Sequence, residues 1–151
     1  MTEVENFAGS WIYRSFVNNT ELEAEADDVL LARGGLKLEV GDTSSELYAD
    51  AREITGRLSF GDLYLTISGT VEPSDPPTIR FRGTGVEDTW TAGWIYDYVG
   101  YLAPIWPNGK GQQPTIVGTV IRTVDHKASG GGISPAGYTL SFIAVSSDQP
   151  S

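Results

Sequence analysis

Apolar and polar residues alternate one for one through seven or eight short stretches of this chain, with Gly- or Pro-rich turns between them. The run Leu63-Tyr64-Leu65-Thr66-Ile67-Ser68-Gly69-Thr70-Val71 is the clearest, with Leu, Leu, Ile and Val on one parity and hydroxyl-bearing residues on the other. Side chains on a strand point alternately to its two faces, so a period of two makes one dry face and one wet face. The same pattern predicts strands over residues 9–17, 36–40, 53–60, 78–84, 90–103, 115–124 and 138–145. Gly61-Asp62 is the spacing of a tight hairpin.

One stretch departs from this period. Thr20-Glu21-Leu22-Glu23 has the form of a capping box, and Leu22, Ala26, Val29 and Leu30 then fall on one helical stripe. Glu21, Glu23 and Glu25 suit a helix N-terminus, and Arg33 with Gly34 suits its end. A helix over residues 20–34 is therefore expected, laid as a cover or plug on the sheet. The predicted fold is all-β: a single domain over residues 1–151, a closed antiparallel up-and-down β-barrel of about eight strands with one short helix after the first strand. The last two strands are apolar on both faces, Val117 and Ile121 opposing Ile116 and Val120, and Ile143 and Val145 opposing Leu140 and Phe142. A doubly apolar strand needs a second cover, so a homodimer through these strands is expected.

Composition narrows the chemistry. With 40% hydrophobic and 20% charged residues, the chain has ordinary globular content and can bury a core. It has no cysteine, so thiolate and disulfide chemistry are excluded. It has one histidine, His126, in a Gly/Ser-rich stretch that reads as a solvated loop. No metal and no cofactor are expected. A formal charge of −10, with ten scattered Lys and Arg, argues against nucleic acid and anionic membranes as partners. No stretch is long and apolar enough for a membrane helix, and the acidic N-terminus is unlike a secretory leader, so the expected location is cytoplasmic.

The segment Trp94-Ile95-Tyr96-Asp97-Tyr98-Val99-Gly100-Tyr101 is the richest in chemistry. Trp94, Tyr96 and Tyr98 share one face, which either fills a small barrel or lines a pocket for an apolar or aromatic ligand. Phe60 and Phe142 are candidates to complete the lining, and Trp106, in the long loop 104–114, to act as part of a lid. Arg80 and Arg82, two residues apart, could clamp a carboxylate or form a wet exterior. Arg122, between apolar neighbours, calls for a carboxylate partner or an anionic ligand, with Asp97 available as an internal partner. For proton transfer the candidates are Tyr96 as donor to a carbonyl and Asp97 or Glu53 as the group that moves the proton. Nucleophile elbow, P-loop and dinucleotide motifs are missing.

These residues resemble the calycin group of barrels: lipocalins, fatty-acid-binding proteins and avidins. Gly9-Ser10-Trp11 is similar to the Gly-x-Trp motif on their first strand, and a helix after strand one is similar to the portal helices of the fatty-acid-binding type. Asp97-Tyr98 resembles the end of the lipocalin Thr-Asp-Tyr motif, with Tyr96 in place of Thr, and Arg122 resembles the arginine that packs across the first-strand Trp. The resemblance implies a barrel that encloses a small molecule. Two functions are thus expected, a binding protein for a small apolar or aromatic molecule, with or without a carboxylate, entering between the Trp106 loop and the helix, or a cyclase or isomerase on the same scaffold acting on a natural-product intermediate. A filled, purely structural barrel is the third possibility.

Overall fold

Each alternating stretch pairs with its neighbours in sequence, and the last returns to the first. The computed structural model describes residues 3–25, 29–44, 51–128 and 130–148. A 3-10 turn (Glu3–Phe7) leads into β1 (Gly9–Val17), β2 (Leu30–Ser44), β3 (Arg52–Phe60), β4 (Leu63–Glu72), β5 (Thr78–Thr84), β6 (Ile95–Leu102) and β7 (Thr115–Arg122). A small hairpin, β8 (His126–Lys127) with β9 (Ile133–Ser134), precedes β10 (Thr139–Ser146). The barrel closes in the order β1-β10-β7-β6-β5-β4-β3-β2, antiparallel throughout, so eight strands run up and down as expected.

Alternation decides which residues face inward. On β1, Trp11, Tyr13 and Ser15 are buried while Ile12 and Arg14 are exposed; on β5, Ile79 and Phe81 are buried while Arg80 and Arg82 are exposed. Where two strands must approach closely the inward residue is glycine. A Cβ on Gly118 of β7 would run into the Val99 carbonyl oxygen across the β6–β7 pair.

The interior has three levels. At one end Val4 and Phe7 of the 3-10 turn are fully buried, and the Trp11 Nε1–H donates to the Phe7 carbonyl at 3.1 Å, closing the barrel. Midway, Tyr13, Phe81, Tyr98 and Phe142 form an aromatic layer, with Phe81 and Tyr98 stacked at 4.4 Å and Tyr13 and Phe142 at 5.8 Å. Such contacts add about 0.5–1.5 kcal/mol each beyond burial of area. The other end, where β1 finishes and β3 turns into β4, stays hollow.

The expected helix does not run over 20–34, and among the described residues of that stretch only Val29 has helical backbone. Residues 22 and 23 make a turn, the Glu21 N–H is held by Asn19 Oδ1 at 2.8 Å, and Leu22, 101% exposed, packs on nothing. Leu30 to Gly34 belong to β2, and residues 26–28 lie outside the described residues. Leu30, Ala32, Leu36, Leu38 and Val40 also alternate, and β2 pairs with β1 from Leu30 onward. From Leu30 the ladder with β1, joined by β3 from Gly35, satisfies backbone groups that a helix carried by an exposed Leu22 would have to satisfy alone. The aromatic strand also begins later than expected, at Ile95, because residues 85–94 form a loop.

Outside the barrel, Val99 and Tyr101 of β6 and Ile121 of the neighbouring β7 are exposed, and Ile12 is exposed on β1, with β10 between it and β7. Among the described residues no helix is long and apolar enough to cross a membrane.

Candidate functional site

The hollow end holds a cavity of ≈ 510 Å³. Phe60, Leu63 and Leu65 from the β3–β4 hairpin form one part of the wall, and Trp94, Tyr96 and Tyr98 form another. Tyr13 and Ser15 lie toward the aromatic layer, and Trp90, Arg33 and Lys127 stand at the rim. Its size and aromatic lining match those of small-molecule sites. A second hollow, ≈ 700 Å³, is a shallower trough over the outer faces of β1–β3 along Ile12, Lys37, Thr55 and Arg57.

The cavity wall carries one polar cluster. Arg122, the last residue of β7, points inward and is 9% exposed. Its Nε–H donates to the Tyr96 hydroxyl at 3.0 Å and its Nη1 to the Pro135 carbonyl at 3.2 Å. The Tyr96 hydroxyl lies 2.6 Å from His126 Nε2. His126 Nδ1 faces the Lys127 carbonyl at 2.9 Å, and a carbonyl only accepts, so the neutral ring carries its proton on Nδ1. Nε2 is then the acceptor and the phenol the donor. The Trp94 indole stacks on the imidazole at 4.0 Å and 14°. Burial pushes His126 below its ordinary 6.5; the Lys127 carbonyl pulls it up and the Arg122 charge pushes it further down.

Two loops fix this geometry. The β7–β10 connection folds back on the mouth: the Gly137 N–H donates to the Arg122 carbonyl at 2.7 Å and the Ala136 N–H to Asp125 Oδ1 at 2.6 Å. The β8–β9 ladder then places His126 over Tyr96. Beside it, loop 85–94 is tied down by Thr91, fully buried, whose hydroxyl donates to the Tyr64 carbonyl at 3.0 Å. A Cβ on Gly85 would strike the Thr91 carbonyl, so the loop closes only with glycine there.

Below the cluster, the phenols of Tyr13 and Tyr98 sit in dry surroundings. Burial raises both, Tyr98 well above its ordinary value with the neighbouring Tyr13 adding to the rise, while the Ser15 and Tyr98 hydroxyls draw Tyr13 back. They remain neutral hydroxyls at physiological pH.

The structure brings together some of the residues expected from sequence and separates others. Tyr96, Trp94, Tyr98 and Phe60 line the cavity. Phe142 lies in the aromatic layer behind it, 5.4 Å from Tyr98. Asp97 points outward, where the Arg82 Nε–H donates to Oδ1 at 2.8 Å and the Thr123 hydroxyl to Oδ2 at 2.6 Å. The Arg82 hydrogen bond holds the Asp97 carboxyl below the usual carboxylate range, against the effect of burial, with the Thr123 hydroxyl adding to the lowering. Arg82 and Arg80 are exposed on that outer surface, Arg80 with Glu72 at 3.8 Å, so neither clamps a ligand inside the barrel. Glu53 is exposed on the outer face of β3. Asp97 and Glu53 therefore cannot move a proton for Tyr96, because strand alternation places them on the opposite side of the wall.

Three further expectations are corrected. The partner of Arg122 is Tyr96, not Asp97. Arg122 does not pack across Trp11: Trp11 closes one end and Arg122 stands at the other. Trp106, 70% exposed, belongs to the β6–β7 loop, which leaves the barrel at the closed end, so access lies instead beside Trp90. His126 is the site residue that sequence reading set aside as a loop histidine. Its only sequence signal is parity: Tyr96 and Arg122 are Cα partners on β6 and β7, which places His126 four residues beyond a paired inward arginine.

Among the described residues no group of three or more His, Cys, Asp or Glu could hold a metal ion. No protein-family model matches the sequence, and no curated protein or solved structure matches it either.

Proposed function

We propose that this protein is a calycin-like barrel that binds a small apolar or aromatic molecule in the cavity at its open end. The observation that carries this reading is the one-ended hollow: an aromatic layer seals it below, aromatic side chains wall it, and one polar cluster can orient a guest. Burying an apolar molecule against such walls contributes about 25 cal/mol per Å².

The test uses the tryptophans. Trp90 and Trp94 border the cavity, while Trp11 and Trp106 do not. A panel of apolar and aromatic compounds should shift emission of the native protein, and the response should vanish in a W90F/W94F variant but persist in W106F. A native protein that responds to no compound overturns the reading.

A second reading, a cyclase or isomerase on this scaffold, is favoured by the Tyr96–His126 contact. The phenol can give its proton to a substrate carbonyl while the His126 Nε2 lone pair takes a proton from the substrate's α-carbon and passes it to the phenolate, which leaves the enol and restores both groups. Here His126 takes the part that sequence reading gave to Asp97 and Glu53. A Tyr96→Phe protein that binds normally but converts nothing supports catalysis; unchanged turnover ends it. Exposed Ile121 on β7, with Val99 and Tyr101 on the neighbouring β6, also supports the homodimer expected through the last strands. Sedimentation of V99E/I121E should then give monomer where the native chain gives dimer.

A further inference from the structure

We infer that the guest carries a carboxylate and that Arg122 receives it. The inference rests on the binding reading above and adds the chemical class of the ligand.

Arg122 is a guanidinium nine-tenths buried in an apolar wall, and among the described residues no carboxylate lies within ion-pair distance of it. Its hydrogen-bond partners are neutral, a phenol and a backbone carbonyl, and Nη2 has no partner among the described residues. A buried cation without a counter-charge is costly, and a bound anion would offset that cost.

The charge around the cavity agrees. Acids outnumber Lys and Arg twenty to ten in the whole chain, yet the cavity lining contains Arg33, Arg122 and Lys127 and no Asp or Glu. A lining that holds cations and no carboxylate favours an anionic group on the guest over a cationic one. Ser134 lies on the same lining, and its hydroxyl can donate to a carboxylate oxygen beside the guanidinium fork, while the Tyr96 hydroxyl keeps its proton on His126. The aromatic walls take the apolar body. The class is a monocarboxylate with one hydrophobic or aromatic part.

Calorimetric titration of the full chain with matched pairs tests this: decanoate, 1-decanol and decyltrimethylammonium, then 2-naphthoate and its methyl ester. The acids should bind roughly tenfold or more tighter than the neutral partners, the scale of a charge-assisted pair. The cation should bind weakest, and the acid preference should collapse in Arg122→Gln. If that variant does not fold, Arg122→Lys, which keeps the charge and loses the fork, should retain a reduced preference. Equal binding of acid and neutral partner, or preference for the cation, overturns the carboxylate assignment while leaving the cavity reading intact. Failure of every probe to bind overturns both.

Discussion

The Tyr96 hydroxyl donates its proton to Nε2 of His126 across 2.6 Å, and the acceptor is available only because the opposite ring nitrogen is bonded to the Lys127 carbonyl. This contact joins β6 to the hairpin over the mouth, so it connects cavity shape to the protonation of the single histidine in the chain.

Tyr96→Phe removes that donor and leaves the Arg122 Nε–H without its partner. The expected cost is about 1–3 kcal/mol in urea unfolding. Because the phenol supports the neutral imidazole, His126 should titrate at higher pH in the variant. The ring-proton NMR signal of the one histidine reads this directly, and an unmoved midpoint would refute the contact.

Stability should fall on acidification below pH 6.5 through His126. The fold holds this imidazole below its ordinary 6.5, so above that pH folded and unfolded chains both hold it neutral and its contribution is complete. As the pH drops, the unfolded chain takes up a proton first and stability declines until the folded imidazole titrates too. Comparing urea midpoints at about pH 7.5 and about pH 5 for the native protein and His126→Gln isolates the effect. The native slope should be the steeper.

Asp97→Asn should leave ligand binding unchanged and cost at most about 1 kcal/mol near neutral pH, since its pair with Arg82 is a surface pair. The folded carboxyl lies below its ordinary 3.8, so its contribution is present above that pH and is lost as the pH falls through the folded value. A variant with defective binding but native stability would return Asp97 to the site.

Gly118→Ala should destabilise by about 2 kcal/mol or more, because a methyl group there must displace backbone on β6. Thermal unfolding checks it. Gly85→Ala should in addition disturb the loop beside Trp90, so its tryptophan emission should change in the folded state.

Much of the barrel was legible from parity alone. Residues 9–17 and 78–84 match β1 and β5 end to end, and Gly61, at φ +62°, makes the turn between β3 and β4. Parity also states that Tyr96 and Asp97 cannot share a face, but not which face is dry; Trp94 and Phe81 could have been outside. The helix reading failed because Leu22, Ala26, Val29 and Leu30 satisfy a helical stripe while the residues from Leu30 onward satisfy a strand, and only pairing with β1 decides between them. The polar cluster was illegible for another reason. Its members come from β6, β7 and β8, and the hydrogen bonds that turn His126 inward depend on where two loops fold.

The barrel is sewn shut between its first strand and its last, with Trp11 opposite Ser146 and Val17 opposite Leu140. Nothing nearer in sequence can supply that seam, so a nascent chain has no interior until its final strand has emerged. Closure is the longest-range step of folding and should limit its rate. Shortening the chain by that strand would accordingly abolish capture of a guest outright, whereas a cut in a surface loop would leave it standing.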